Sequence, residues 1–398
     1  MLRVLFLIIC LAGAVPAHAL RYMLTPSLGL GGTFDDRVRE DRQDWCARLT
    51  PGVLVDVEQD RYRARAEARI GVHAYQKYTE YDRLDQDYLA SIDYGWSARL
   101  RLGLSGKARL DTDYEDEYEE GRVVDVEATD RRTFTLSPSV SYLLSPRDTL
   151  AIAYSVAQRE NEADYNADYL GHVLGATWTH QYSEILDLFI RANAQRTMYD
   201  GSRSNLDSSV FGGELTQDTV SLMGGVSYRP SERLSLTLAL GGGDTHTRRR
   251  DSEWDLGLGR IALGDGETTS SLNYLVNSGL EWTGERFSVT AGYDRDIYSS
   301  AEGEDVVRDS VNAGIAYRIT PLASIGVSAL ARHLADNSDR DERDDWYHAV
   351  NPYVRFQISK DSSVRFGYAY SQSHEKDEER AVRNRCSLDY VMSFPLEY

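Results

Sequence analysis

Two short stretches of this chain carry cations at every second position. Arg63, Arg65 and Arg69 alternate with Ala64, Ala66 and Ala68, and Arg99, Arg101, Lys107 and Arg109 alternate with Leu100, Leu102, Ala108 and Leu110. A period of two puts the charges on one face of an extended strand and the apolar residues on the other. Such a row cannot face lipid, where Arg or Lys at the midplane costs roughly 2–4 kcal/mol each. Facing an aqueous interior, it would concentrate anionic solutes or an acidic polymer and slow them at successive weak sites. Glu67, His73 and Asp111 share the face, and the strand between the two rows adds Ser91 and Asp93, so the expected field is moderated but positive. A purely structural chemistry fits the same residues equally well: the arginines would brace the wall against Glu67, Asp93 and carboxylates on infolded loops. Other inward charges, Asp187 with Arg191, Asp294 with Asp296 and Arg385 with Asp389, mix signs and indicate no selectivity.

Catalysis finds little support. His73, His172, His180, His246, His333 and His348 are scattered, and none stands near a nucleophile motif, whereas an esterase or deacylase needs a histidine beside a serine or carboxylate at one depth. No enzyme activity and no cofactor are expected. Two segments are strongly acidic, one with Glu115, Asp116, Glu117, Glu119 and Glu120, the other with Asp339, Asp341, Glu342 and Asp344. Hard cations favour such oxygens, but neither segment has metal-loop spacing with a glycine hinge. They read as solvated loops, with no metal site.

The elements that must position the cations are strands. Leu150, Ile152, Tyr154 and Val156 oppose Ala151, Ala153 and Ser155; Leu234, Leu236, Leu238 and Leu240 oppose Ser235, Thr237 and Ala239; Val364, Phe366, Tyr368 and Tyr370 oppose Arg365, Gly367, Ala369 and Ser371. Short turns are expected near Asp60, Ser97, Pro146, Ser183, Ser231, Gly284, Pro321 and Lys360, and long polar connections between them, among them Gln76 to Gln86, Asp113 to Thr129 and Asp200 to Thr216. Eight short turns and nine long loops join about eighteen strands. That pattern predicts an all-β fold, a transmembrane antiparallel up-and-down barrel with short periplasmic turns, long extracellular loops and both chain ends periplasmic. A soluble sandwich has no reason to keep every strand apolar on one face. Tyr94, Trp96, Tyr142, Trp178, Tyr228, Trp282 and Tyr317 before short turns, with Tyr75, Tyr88, Tyr199 and Trp346 beside long loops, suit interfacial girdles. Cys46 is expected on the inner face and Cys386 on the lipid face, unpaired, with one strand between them.

Residues 1–19 read as a signal peptide: Arg3, an apolar run from Val4 to Val15, and Ala17-His18-Ala19 as the cleavage site. The run is too short for a spanning helix. Removing Arg3 with the leader takes the formal charge from -19 to -20, which argues against nucleic acid as a partner. The barrel domain is then residues 20–398. At the far end Cys386, Leu388, Tyr390, Met392, Phe394, Leu396 and Tyr398 share one face, an alternating last strand ending in an aromatic that suits recognition by the outer-membrane assembly machinery; Pro395 removes one ladder hydrogen bond. Lipid and lipopolysaccharide are the expected surroundings.

Three segments carry a family resemblance: TPSLGLGGTFDDRV (Thr25 to Val38), LTPGVLVD (Leu49 to Asp56) and SYLLSPRDTLAIAY (Ser141 to Tyr154). They resemble the outer-membrane β-barrel porin family associated with bacterial exopolysaccharide and exosortase (PEP-CTERM) systems. That family often has Asn after the paired aspartates, where this chain has Arg37. The resemblance implies a barrel and, by association, exopolysaccharide export with periplasmic partners. Two functions follow as expectations: a passive conduit, porin-like or polymer-exporting, or a non-conducting surface barrel whose acidic loops serve adhesion or recognition.

Overall fold

The computed structural model of the chain describes residues 21–39, 42–113, 129–161, 168–200, 213–251, 254–255, 260–261, 268–299, 305–336, 344–374 and 380–397. The leader, the acidic segments at 114–128 and 337–343, and Tyr398 lie outside the described residues.

Eighteen strands of 13 to 19 residues form one sheet. They are β1 (Arg21–Arg39), β2 (Arg42–Gln59), β3 (Tyr62–Tyr75), β4 (Arg83–Gly95), β5 (Leu100–Asp113), β6 (Thr129–Ser145), β7 (Asp148–Asn161), β8 (Asp168–Gln181), β9 (Leu186–Asp200), β10 (Gly213–Ser231), β11 (Leu234–Asp251), β12 (Thr268–Thr283), β13 (Phe287–Ser299), β14 (Asp305–Thr320), β15 (Ala323–Asp336), β16 (Asp344–Ser359), β17 (Ser362–His374) and β18 (Ala381–Ser393). Each pairs antiparallel with its neighbours in chain order, and β18 returns to β1, with Ser27 to Asp35 opposite Ser393 to Arg385. Closure leaves no edge, which is how strands satisfy their backbone groups in lipid. Past Pro395, Leu396–Glu397 resume the ladder against Leu24 and Met23 of β1.

Residues directly opposite in an antiparallel ladder share a face, so register carries the face assignment around the circuit. Asp56 lies opposite Arg65, Arg65 opposite Ser91, Ser91 opposite Ser105, and Ser105 opposite Ser137. At the seam the circuit closes consistently, Thr33 standing opposite both Cys46 and Ser387. One face is apolar, and its side chains have no protein to cover them: Leu222 is 58% and Leu240 57% exposed. Lipid is the solvent that accepts such a surface. No helix among the described residues is long and apolar enough to cross a membrane; the chain crosses with strands. The opposite face, rich in Gly, Ser, Thr, Asp and Arg, surrounds a lumen, which eighteen strands make too wide for side chains to fill.

Tyr62, Tyr94, Tyr142, Trp178, Tyr228, Trp282 and Tyr317 point outward near the short turns, as a girdle requires. Tyr75 and Tyr199 do not join the opposite girdle. Tyr75 lies opposite Cys46 and Tyr199 opposite Tyr169, both on the inner face, because nearness to a loop does not fix strand parity. Cys46 faces inward and Cys386 outward, flanking β1 opposite Thr33 and Phe34; both are free thiols.

All eight short turns fall where the sequence places them. Several are built by a hydroxyl that accepts the backbone N–H two residues on: Ser97 from Arg99 (3.2 Å), Ser145 from Arg147 (3.1 Å), Ser231 from Arg233 (3.3 Å), Thr320 from Leu322 (3.2 Å) and Ser359 from Asp361 (3.2 Å). The side chain replaces part of a backbone turn and sets hairpin register without glycine. On the long-loop side two connections are shorter than expected. Only residues 40–41 separate β1 from β2, whose ladder runs past the membrane to Arg39 opposite Arg42. β4 begins at Arg83, inside the expected Gln76 to Gln86 loop, because buried Asp44 gathers the chain there, accepting N–H groups from Trp45 (2.7 Å), Lys77 (3.0 Å) and Tyr78 (3.0 Å). Asp44 stands at the extracellular rim, beyond the roughly ten residues of β2 that a bilayer needs. Burial pushes its carboxyl up, but the N–H groups of Tyr78, Lys77 and Trp45 more than offset that and hold it below its ordinary value.

The paired aspartates of the first motif clasp the β1–β18 seam. Asp35 accepts Arg383 Nε at 3.0 Å in a buried ion pair, and Asp36 accepts the Asn384 backbone N–H and side-chain amide, each at 2.6 Å. Lower on the same seam, Arg48 pairs with Asp389 across Gly31. A Cβ on Gly31 would fall 2.6 Å from Asp389 Oδ1, so glycine makes room for that pair.

Candidate functional site

The inner wall from β2 to β9 gathers the cations singled out by their spacing. Arg63, Arg65 and Arg69 on β3 and Arg101, Lys107 and Arg109 on β5 share the lumenal face, each row opposite inward residues of β4. Arg99 precedes β5 and sits in the turn, where its carbonyl accepts the Leu143 N–H at 2.8 Å. It belongs to the periplasmic rim rather than to the strand.

Neighbouring strands supply carboxylates that alternation along one strand cannot reveal. Arg63 Nη2 lies 3.3 Å from Asp56 Oδ2 of β2. Arg65 and Arg69 both reach Glu67, the former at 3.6 Å. Arg109 Nε is 2.8 Å from Asp111 and 4.0 Å from Asp87 of β4; Asp111 is also bound at 2.7 Å by buried Arg131 of β6. Asp85 of β4 takes His73 at 3.0 Å and Arg83 at 3.3 Å. Asp56, Asp85 and Asp87 thus join Glu67, Asp93 and Asp111 on the wall. The field is more compensated than expected, and four of the seven cations, Arg63, Arg65, Arg69 and Arg109, are paired.

Arg99, Arg101 and Lys107 make no ion pair among the described residues. Arg101 and Lys107 are six residues apart on β5, so along the strand they stand about 20 Å apart. They are separate stations rather than one cluster. Two inward cations that the spacing did not single out face them from the other side of the barrel: Arg355 of β16 lies opposite Arg365 of β17, with Arg365 4.4 Å over the Tyr353 ring. Single-strand alternation marks both positions as inward; only the cross-strand register shows them adjacent. Among the described residues no group of three or more His, Cys, Asp or Glu is arranged to hold a metal ion.

No family model matches this sequence, and no curated protein matches it. Solved structures do share its fold. The ferric citrate transporter FecA in its unliganded form superposes with a TM-score of 0.53 at 9% identity, over 89% of this chain and 60% of that one. The FrpB iron transporter from Neisseria meningitidis, as apoprotein of the F5-1 variant, gives 0.51 at 11% identity, over 88% of this chain and 61% of that one. The chain therefore spans about three fifths of the length of these transporters. At such identities the likeness is one of fold. With the closed ladder, the lipid-compatible exterior and the turn asymmetry, it establishes the chain as an 18-stranded bacterial outer-membrane β-barrel, its short turns facing the periplasm.

Proposed function

We propose that the barrel is a passive conduit across the outer membrane, porin-like, with a partly basic lumen that favours anionic solutes, an acidic exopolysaccharide among them. One observation carries this reading: Arg101 and Lys107 stand without an ion pair among the described residues on the inner wall of a closed eighteen-strand barrel, with Arg99 at its periplasmic mouth. The fold likeness to transporters favours passage through the lumen over a closed shell. Around this core stand the partners that the sequence suggests: lipopolysaccharide outside, the assembly machinery reading the last strand to Tyr398, and periplasmic export partners. Purified, refolded protein in planar bilayers tests the reading. Discrete conductance steps with anion preference at low salt support it. Absence of steps from folded protein favours a non-conducting surface barrel with recognition loops, a reading to which the ion pairs at Arg63, Arg65, Arg69 and Arg109 lend support as wall bracing.

A further inference from the structure

One rung of the ladder links two arginines across five strands. Arg101 of β5 lies opposite Ser141, Ser141 opposite Ala151, Ala151 opposite Thr177, and Thr177 opposite Arg191 of β9. Four strand spacings of about 4.8 Å separate the two arginine backbones by roughly 19 Å along the wall. Between them the wall is hollowed into a groove of about 460 Å³. Its floor is made of small residues, and a Cβ on Gly103 would meet Ser139 Oγ at 2.5 Å and Asp93 Oδ1 at 3.3 Å. The groove exists because nothing larger fits beneath it.

Asp187 lies four residues from Arg191 on the same face of β9. It pairs instead with Arg229 at the periplasmic end of β10, and Arg191 is left with no ion pair among the described residues. The Arg191 guanidinium rests 5.7 Å from the Phe189 ring centroid, a contact that holds a cation without cancelling its charge. Arg101 at the other end is likewise unpaired, with Asp93 beside it in the groove. Between the two posts Ser139, Ser141, Thr177 and Asn193 offer hydroxyl and amide hydrogen-bonding groups. Among the described residues no aromatic ring lines the groove itself, Phe189 standing beyond Arg191.

We infer that this groove is a two-point anion site, taking a hydroxyl-bearing solute with acidic groups at both ends, one on Arg101 and one on Arg191. Asp93 accepts from a hydroxyl and weakens Arg101 toward a lone anion, so tight seating requires the second contact at Arg191. The inference rests on the conduit reading for its biological sense and names the solute class that the lumen retards: linear acidic saccharides and similar polyhydroxylated diacids.

The test is calorimetric titration of the refolded barrel in detergent with trigalacturonate, galacturonate and uncharged maltotriose, alongside bilayer conductance of the same preparation. Trigalacturonate is expected to bind measurably more tightly than the other two. Arg191→Gln and Arg101→Gln should each weaken it about tenfold, the loss of one charge-assisted contact. Arg355→Gln, on the opposite wall, should leave it unchanged. If Arg101→Gln fails to fold by heat-modifiable migration, Arg191→Gln alone carries the test. Equal affinity for maltotriose and trigalacturonate, or an Arg191→Gln barrel that binds as the parent does, overturns the site. Normal conductance without trigalacturonate binding overturns the groove and leaves the conduit; binding without conductance supports the groove and removes the conduit.

Discussion

Reversing the two unpaired strand cations, Arg101→Glu with Lys107→Glu, is the sharpest test of a basic lumen, because neither change strands a buried partner. An ion passing roughly 8 Å from each side chain in water-like dielectric feels about 0.5 kcal/mol per unit charge. Each reversal changes two units, and screening over about 10 Å at 0.1 M salt roughly halves the effect, leaving about 0.5 kcal/mol per residue. Because the two residues stand about 20 Å apart, the double variant should lower anion partitioning about twofold at each station at 0.1 M, with a reciprocal gain for cations. At 1 M salt, where the screening length falls to about 3 Å, the change should shrink below about 1.3-fold. Reversal potentials across a salt gradient in planar bilayers measure both. Neutralising the compensated Arg63 (Arg63→Gln) should shift selectivity much less, since Asp56 already offsets it at 3.3 Å. A folded double variant whose selectivity is unaltered at low salt would refute the electrostatic argument, and a shift that persists at 1 M would show that gross rearrangement, not field, had changed the pore.

The seam clasp predicts that Asp35→Ala, which takes the Asp35 carboxylate away from the buried Arg383 guanidinium, destabilises the barrel by up to about 3–5 kcal/mol, read as a lower urea midpoint for loss of heat-modifiable migration; a midpoint equal to the parent's would show the clasp to be idle. Asp44 is held below its ordinary 3.8 in the folded chain, so its contribution is present above that value and lost as pH falls below it through the folded-state value. Limited proteolysis at residues 76–82 should therefore accelerate on acidification in the parent but be fast at all pH values in Asp44→Ala. Cysteines introduced within the 113–129 loop should react with impermeant reagent on whole cells, while Ser145→Cys and Ser231→Cys should not; the opposite pattern inverts the barrel. Mass spectrometry of outer-membrane material should find the mature chain beginning at Leu20, and an intact Met1 would contradict the proposed cleavage.

Period-two alternation is a local property, since each residue's face follows from its neighbours two positions away, and so strand number, the eight short turns and the inward direction of Arg63, Arg65, Arg101 and Lys107 could all be read from the sequence alone. Which charge meets which could not. Asp56, Asp85 and Asp87 confront the β3 and β5 cations only because the registers of β2 and β4 bring them level, and register depends on hairpin geometry and on closure of the whole circuit. Asp35 and Arg383, 348 residues apart, meet only where β18 returns to β1. The β9–β10 pairing hands Asp187 to Arg229, and the registers from β5 to β9 set Arg191 on one rung with Arg101. Sequence thus determined the wall and the side of it on which each charge stands; the tertiary structure decided which charges cancel, because ion pairing follows distances between strands that no single strand encodes.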